Sequence, residues 1–290
     1  MLADAVLAEG YRLLRSRTTW FWSVFFVPIL ALVFSVIGNA ILKAMMMAAQ
    51  AKSQPLAPQV QMALQPSIDM GQGLLEVAGG LAGPATLLFV LIGAATLYAG
   101  DYRWETWRLI SARNTRPNLI LGKVAALKML TLVAMLVLAV AGVGQLLIKA
   151  AILATPMTFT FSGGDFGRLA LLFLLSFWRI VQFTMLGLLV AVASRSLLAA
   201  LFVPIVVGVA QVFSPFALAQ FGLSGDSWIA LAINPGGAMD VLKAEIVGGT
   251  AAQLASNRAV ISAIISLLMW MFLPLAAAIG WFNRQDLSKE

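Results

Sequence analysis

Long apolar runs divided by short polar intervals organise this chain. Six of them approach or exceed the roughly 20 residues that a helix rising 1.5 Å per residue needs to cross about 30 Å of hydrocarbon. They are Trp20–Leu42, Leu81–Gly100, Val124–Ile148, Leu169–Ala193, Leu197–Ala219 and Ala259–Phe282. Little more than Ser194-Arg195-Ser196 separates the fourth from the fifth, which predicts a tight helical hairpin. Pro28 and Pro274 lie inside the first and sixth runs and predict kinks. The fifth run is the most interrupted, with Pro204 inside it and Ser214-Pro215 breaking its end. The fold class expected is all-α integral membrane, one transmembrane domain over residues 1–290, with both termini on one side because the spans are even in number.

Before the first run the period changes. In residues 1–18, Leu2, Val6, Leu7, Tyr11, Leu13 and Leu14 fall on one half of a helical wheel, and Asp4, Glu9, Arg12 and Arg15 on the other. That pattern predicts an amphipathic helix lying in the membrane interface. The basic residues beside an apolar run also suit a signal peptide, but the run is too long for a 7–15-residue signal core. Two intervals are longer than a plain connection. Residues 43–80 hold a Gln/Ala/Pro-rich piece, Gln50 to Gln65, then a Gly-rich approach to the second run. Residues 220–258 contain an apolar stretch around Asn234-Pro235-Gly236-Gly237, which predicts short re-entrant or surface helices about a turn.

Composition agrees with this pattern. Hydrophobic residues make up 61% of 290 positions and charged residues 11%, against about 45–50% and about 25% in soluble domains. Cysteine and histidine are absent. Disulfides, thiolate metal sites, the commonest general base and the commonest transition-metal ligand are therefore excluded. No Walker-type phosphate loop occurs, since Gly122-Lys123 is followed by valine and lacks the upstream glycine. No carboxylate falls inside an expected span, whereas proton-driven pumps carry a titratable relay at depth. The chain is therefore expected not to be an enzyme by itself, and any active transport would draw its energy from another chain.

The net charge of +7 is mostly a topology signal. Arg12, Arg15, Arg17, Arg103, Arg108, Arg113, Arg116, Lys123, Arg195, Arg284 and Lys289 lie on the side of the termini; Lys43, Lys52, Lys149, Arg168, Lys243 and Arg258 lie opposite, in longer segments. The positive-inside rule then makes both termini cytoplasmic and leaves no nucleic-acid surface. Arg179, with Gln182 close by, stands near the middle of the fourth run. Arginine at that depth is costly unless paired or wetted, so it either lines a cavity on a substrate pathway or is a structural arginine satisfied within the bundle.

The most informative interval, 101–123, follows the second run. It carries Asp101, Arg103, Trp104, Glu105, Thr106, Trp107, Arg108, Arg113 and Arg116. Two readings are open: a positive-inside loop with an aromatic belt at the interface, or a short helix that receives mechanical input from a soluble subunit. An acidic residue ending the second run (Asp101), a Thr-aromatic-Arg-Leu stretch (Thr106 to Leu109), then Ala112-Arg113, Arg116 and Lys123 opening the third run resemble the first cytoplasmic loop of ABC-2 type transporter permeases. Asp101 stands where that family commonly has glutamate, and Glu105-Thr106 where it has Gly-Thr. The segment around Tyr11, Arg12, Arg15 and Arg17 resembles the family's connecting helix, and WFNRQDL at 281–287 its terminal pattern.

The resemblance implies a bacterial inner-membrane permease that dimerises and works with two copies of a separately encoded ATPase. ATP and magnesium would be bound by that partner, with no cofactor on this chain. Residues 101–116 and the connecting helix would be the ATPase-coupling elements, and the cargo a drug, peptide, lipid or glycan. A secondary transporter or channel, or a membrane scaffold, is the alternative.

Overall fold

The computed structural model describes residues 1–52, 66–103, 107, 114–248 and 256–285, with the side chain of Arg103 outside that set. Apart from one two-residue strand pair, the described chain is helical. Helix α1 (Leu2–Arg15) ends at Ser16, and α2 (Arg17–Ala51) is the first candidate span. Helix α3 (Met70–Gly80) precedes α4 (Pro84–Arg103). Then come α5 (Arg116–Leu153), α6 (Gly163–Ser194), α7 (Leu197–Gln220), the short helices α8 (Trp228–Ile233) and α9 (Pro235–Val247), and α10 (Asn257–Arg284). Six of these, α2, α4, α5, α6, α7 and α10, are long and apolar enough to cross a membrane.

The helices outrun the apolar runs, and this corrects several expected boundaries. Helix α5 begins at Arg116, with Pro117 in its first turn where a missing N–H costs nothing. The expected loop 101–123 therefore loses residues at both ends to helices. Asp101 and Asp165, counted outside the apolar runs, lie within α4 and α6. The Gly-rich approach to the second span is itself helix α3, whose first turn is capped by the Asp69 carboxylate through the amides of Gly71 (2.8 Å) and Gln72 (3.3 Å). The strand pair, β1 (Ile68–Asp69) with β2 (Met157–Thr158), runs parallel and ties the entrance of α3 to the exit of α5.

Ser214-Pro215 does not break the fifth span. Pro215 cannot donate to the carbonyl of Gln211 one turn earlier, and the Ser214 hydroxyl donates to that carbonyl instead, at 2.7 Å. In α2 the chain widens into one π-helical stretch, Phe21–Phe25. The carbonyl that Pro28 would strike belongs to Val24, inside that wide turn.

Helices α8 and α9 form a re-entrant hairpin within the expected 220–258 segment. The carbonyls ending α8, at Leu231 and Ala232, accept from Ser266 Oγ (2.6 Å) and Trp270 Nε1 (2.7 Å) of α10. Those two donors lie about 14 Å and about 20 Å beyond the start of α10 at 1.5 Å per residue, so α8 descends towards mid-span. Pro235-Gly236-Gly237 is then the first turn of α9, with Asn234 Oδ1 accepting from both glycine amides at 3.0 and 3.1 Å. Buried helix ends in an apolar medium need such partners.

Candidate functional site

Two polar sites interrupt the apolar bundle. The first lies at the end that carries both termini. Helix α1 crosses the start of α5, and the contact is close because Gly122 presents no side chain. A Cβ there would stand 2.9 Å from that of Ala5. The contact delivers Glu9 and Arg12 of α1 to Asp101, near the end of α4, and to Lys123 of α5. Arg12 Nη1 is 2.9 Å from Asp101 Oδ1 and 3.3 Å from Glu9 Oε1, and Lys123 Nζ is 2.9 Å from Glu9 Oε1. Lys123 also pairs with Asp101 and donates to the Leu97 carbonyl at 3.0 Å. All three ammonium hydrogens thus have acceptors.

Lys123 and Asp101 are fully buried and Glu9 nearly so. Two cations facing two carboxylates leave the group neutral. Burying each ion costs several kcal/mol, which is recovered only when every partner is present.

Next to this cluster, Arg116 holds the end of α10. Its Nη1 lies 3.0, 3.0 and 2.7 Å from the carbonyls of Phe282, Asn283 and Gln285 at the helix end, where carbonyls run out of intrahelical donors. Gln285 accepts from the Tyr102 hydroxyl (3.0 Å) and donates to the Val192 carbonyl (2.6 Å). Trp107 fills the space between, its ring 4.5 Å from that of Phe282 and 5.4 Å from that of Tyr102, with the Lys123 ammonium 5.2 Å above it. Helices α1, α4, α5, α6 and α10 are fastened together here.

Among the residues singled out in the sequence, Asp101 and Trp107 are buried inside this assembly, so Trp107 is no part of an interfacial aromatic belt. Arg116 is turned to α10 and Arg12 to the ion cluster. Tyr11 is exposed, with the Arg15 guanidinium 4.7 Å from its ring, and Arg17 is exposed at the start of α2. Trp104, Glu105, Thr106, Arg108 and Arg113 lie outside the described residues, as does the Arg103 side chain. Neither Glu9 nor the partner role of Lys123 was evident from the sequence. On the wheel Glu9 belongs to the polar half, yet Ala5, Glu9 and Leu13 form the stripe that α1 buries. A lysine opening an apolar run is the one signal that pointed to an acid nearby.

The second site is a cavity of about 480 Å³ between α4, α6, α7 and α9. Pro84, Leu87, Leu88, Phe183, Ile205 and Val209 contribute apolar walls, and Arg179, Asp240 and Lys243 the charge. Arg179 is 7% exposed and donates to Gln182 Oε1 at 3.0 Å, with the Phe183 ring 5.9 Å away. The turn of the re-entrant hairpin abuts it, since a Cβ on Gly236 would stand 3.7 Å from Arg179 Nη2. The structure thus brings together Arg179 and Gln182, and it adds Asp240 and Lys243 from α9.

No family model, curated protein or solved structure matches this chain. It is a six-span helical membrane protein. Among the described residues no three His, Cys, Asp or Glu side chains gather as a metal site would require.

Proposed function

We propose that this chain is the membrane-spanning permease subunit of an ATP-driven exporter of the ABC-2 type, moving a hydrophobic or amphipathic cargo with ATP hydrolysed by a separate soluble subunit. The observation that carries the reading is the ion-paired clamp of α1 onto the ends of α4 and α5. An interfacial helix joined in this way to two spans moves with them, so force applied to it from outside the membrane reaches the bundle without being absorbed by a flexible hinge. A soluble ATPase bearing on α1 and on residues 101–116 would act at that place. The exposed Leu7, Tyr11 and Leu14 give α1 an apolar edge for the membrane surface. Two permeases and two ATPases would form the working unit in a bacterial inner membrane.

The test is purification of the tagged chain from its native membrane in mild detergent, scoring co-purified protein and ATP turnover together. A stoichiometric ATPase with vanadate-sensitive hydrolysis is the expected outcome. Charge reversal at Arg108 or Arg113 should then weaken that association. A chain that purifies alone, also after crosslinking in intact membranes, and hydrolyses nothing would defeat the reading. A gradient-driven carrier or channel is the second reading, favoured by the half-helices α8 and α9 meeting near mid-span.

A further inference from the structure

The second polar site has a property the first lacks. Every charge in the clamp faces an opposite charge, whereas Arg179 is buried at mid-span with Gln182 as its one hydrogen-bond acceptor among the described residues. A guanidinium carries five N–H donors in a rigid fork, and burial without acceptors at this depth is expensive. The charge of Asp240, on α9, acts on Arg179, but its side chain is 77% exposed and its Oδ1 is 3.9 Å from Lys243 Nζ. Among the described residues Asp240 makes no hydrogen bond to Arg179, so it does not close the fork. Counting Arg179, Lys243 and Asp240, the cavity has a net positive charge.

The rest of the wall is apolar. Leu87 and Leu88 of α4, Phe183 of α6, and Ile205, Val209 and Val212 of α7 line a space of about 480 Å³, within the roughly 300–1,000 Å³ of small-molecule sites. One cationic fork at the deep end and an aliphatic wall running away from it specify a ligand with two parts. The part at Arg179 is a planar or tetrahedral oxyanion, which the fork binds with paired hydrogen bonds. The part along α4 and α7 is an alkyl chain. Three spans and the hairpin helix α9 supply the walls of this space.

We propose that this cavity binds an amphiphile bearing one anionic headgroup, a carboxylate or a phosphate, with the headgroup on Arg179 and the chain between α4 and α7. The site would hold such a ligand whether or not the chain works with an ATPase, so the proposal survives or fails separately from the exporter reading.

The test uses the full chain in neutral maltoside detergent, with no partner present. Binding of radiolabelled dodecyl phosphate and dodecanoate is compared with that of dodecanol, which has the same chain and no charge, and with dodecyltrimethylammonium. The wild type should prefer both anions at least tenfold over the alcohol and bind the cation more weakly still. Phosphate and acetate without a chain should not compete. Arg179→Gln should erase the preference and leave the alcohol's affinity unchanged. Val209→Trp, which fills the chain wall without touching Arg179, should weaken anions and alcohol alike. Equal binding of anion and alcohol to the wild type would overturn the proposal, as would an anion preference that persists in Arg179→Gln or ignores Val209→Trp. Should Arg179→Gln fail to fold, the wild-type charge preference and Val209→Trp still decide.

Discussion

The clamp at the terminus end and the cavity at mid-span are both buried and both polar, yet they treat charge in opposite ways. In the clamp, Glu9, Arg12, Asp101 and Lys123 satisfy one another, and even the third ammonium hydrogen of Lys123 finds the Leu97 carbonyl. In the cavity, Arg179 has one neutral acceptor among the described residues and open space beside it. A closed network makes a rigid joint, because any displacement strands an ion. An open one leaves binding capacity for something that is not part of the chain.

The comparison predicts that removing a charge is ruinous in one place and mild in the other. Lys123→Met should produce the largest effect, because it leaves two buried carboxylates, Glu9 and Asp101, to the single Arg12. A loss of about 3–5 kcal/mol is expected, read as failure to accumulate folded protein or as a steep fall in thermal midpoint in detergent. Adding Asp101→Leu to Lys123→Met should recover part of it, and a pair that is no better than Lys123→Met alone would refute the closed-network account. Gly122→Leu should follow, since the side chain meets Ala5 and pushes α1 off α5. About 1–3 kcal/mol is expected, and faster cleavage of α1 by protease would report it.

Arg116→Ala frees the last carbonyls of α10, with a cost of about 1.5–3 kcal/mol for a charged donor and faster amide exchange at the end of that helix. Arg179→Gln should change stability by less than about 1 kcal/mol, because little is left unpaired. A fall in thermal midpoint as large as that of Lys123→Met would make the two sites equivalent and remove the distinction.

The smallest effect is local and depends on pH. The Thr160 hydroxyl and amide and the α3 amides hold the Asp69 carboxyl below the ordinary aspartate range. Its folded value is depressed, so its contribution is present above the ordinary value and fades as pH falls through the lower, folded one. Amide exchange at Gly71 and Gln72 should therefore rise on acidification in that window.

The spans were legible because each presents one long apolar signal, and hydrocarbon imposes a length on it. Their ends were not, because the last turn of α4 and the first turn of α5 are helical through polar residues whose partners come from elsewhere: Asp101 pairs with Arg12 and Lys123, and Arg116 with the end of α10. Ser214 shows the same limit. Beside a proline it reads as a break, and only its bond to the Gln211 carbonyl explains why α7 continues. Arg179 was legible as an anomaly of depth, but its neighbours Asp240 and Lys243 lie some sixty residues downstream, on a hairpin whose re-entry no local pattern encodes. Glu9 was misplaced on the wheel because α1 has two distinct faces. One packs on protein and one carries the exposed Leu7, Tyr11 and Leu14, and a division into an apolar and a polar half allows for only one.

The α8–α9 hairpin also constrains the order in which the protein is made. Its carbonyls at Leu231 and Ala232 are met by Ser266 and Trp270, which are synthesised later and enter the bilayer only with the final span. Until then the hairpin has no acceptable place in hydrocarbon and must wait outside. A nascent chain stopped before Asn257 should expose residues 228–247 to protease, and extending it through Arg284 should hide them. Helix α9, which settles only once α10 is in place, thus completes the wall of a cavity otherwise built from α4, α6 and α7.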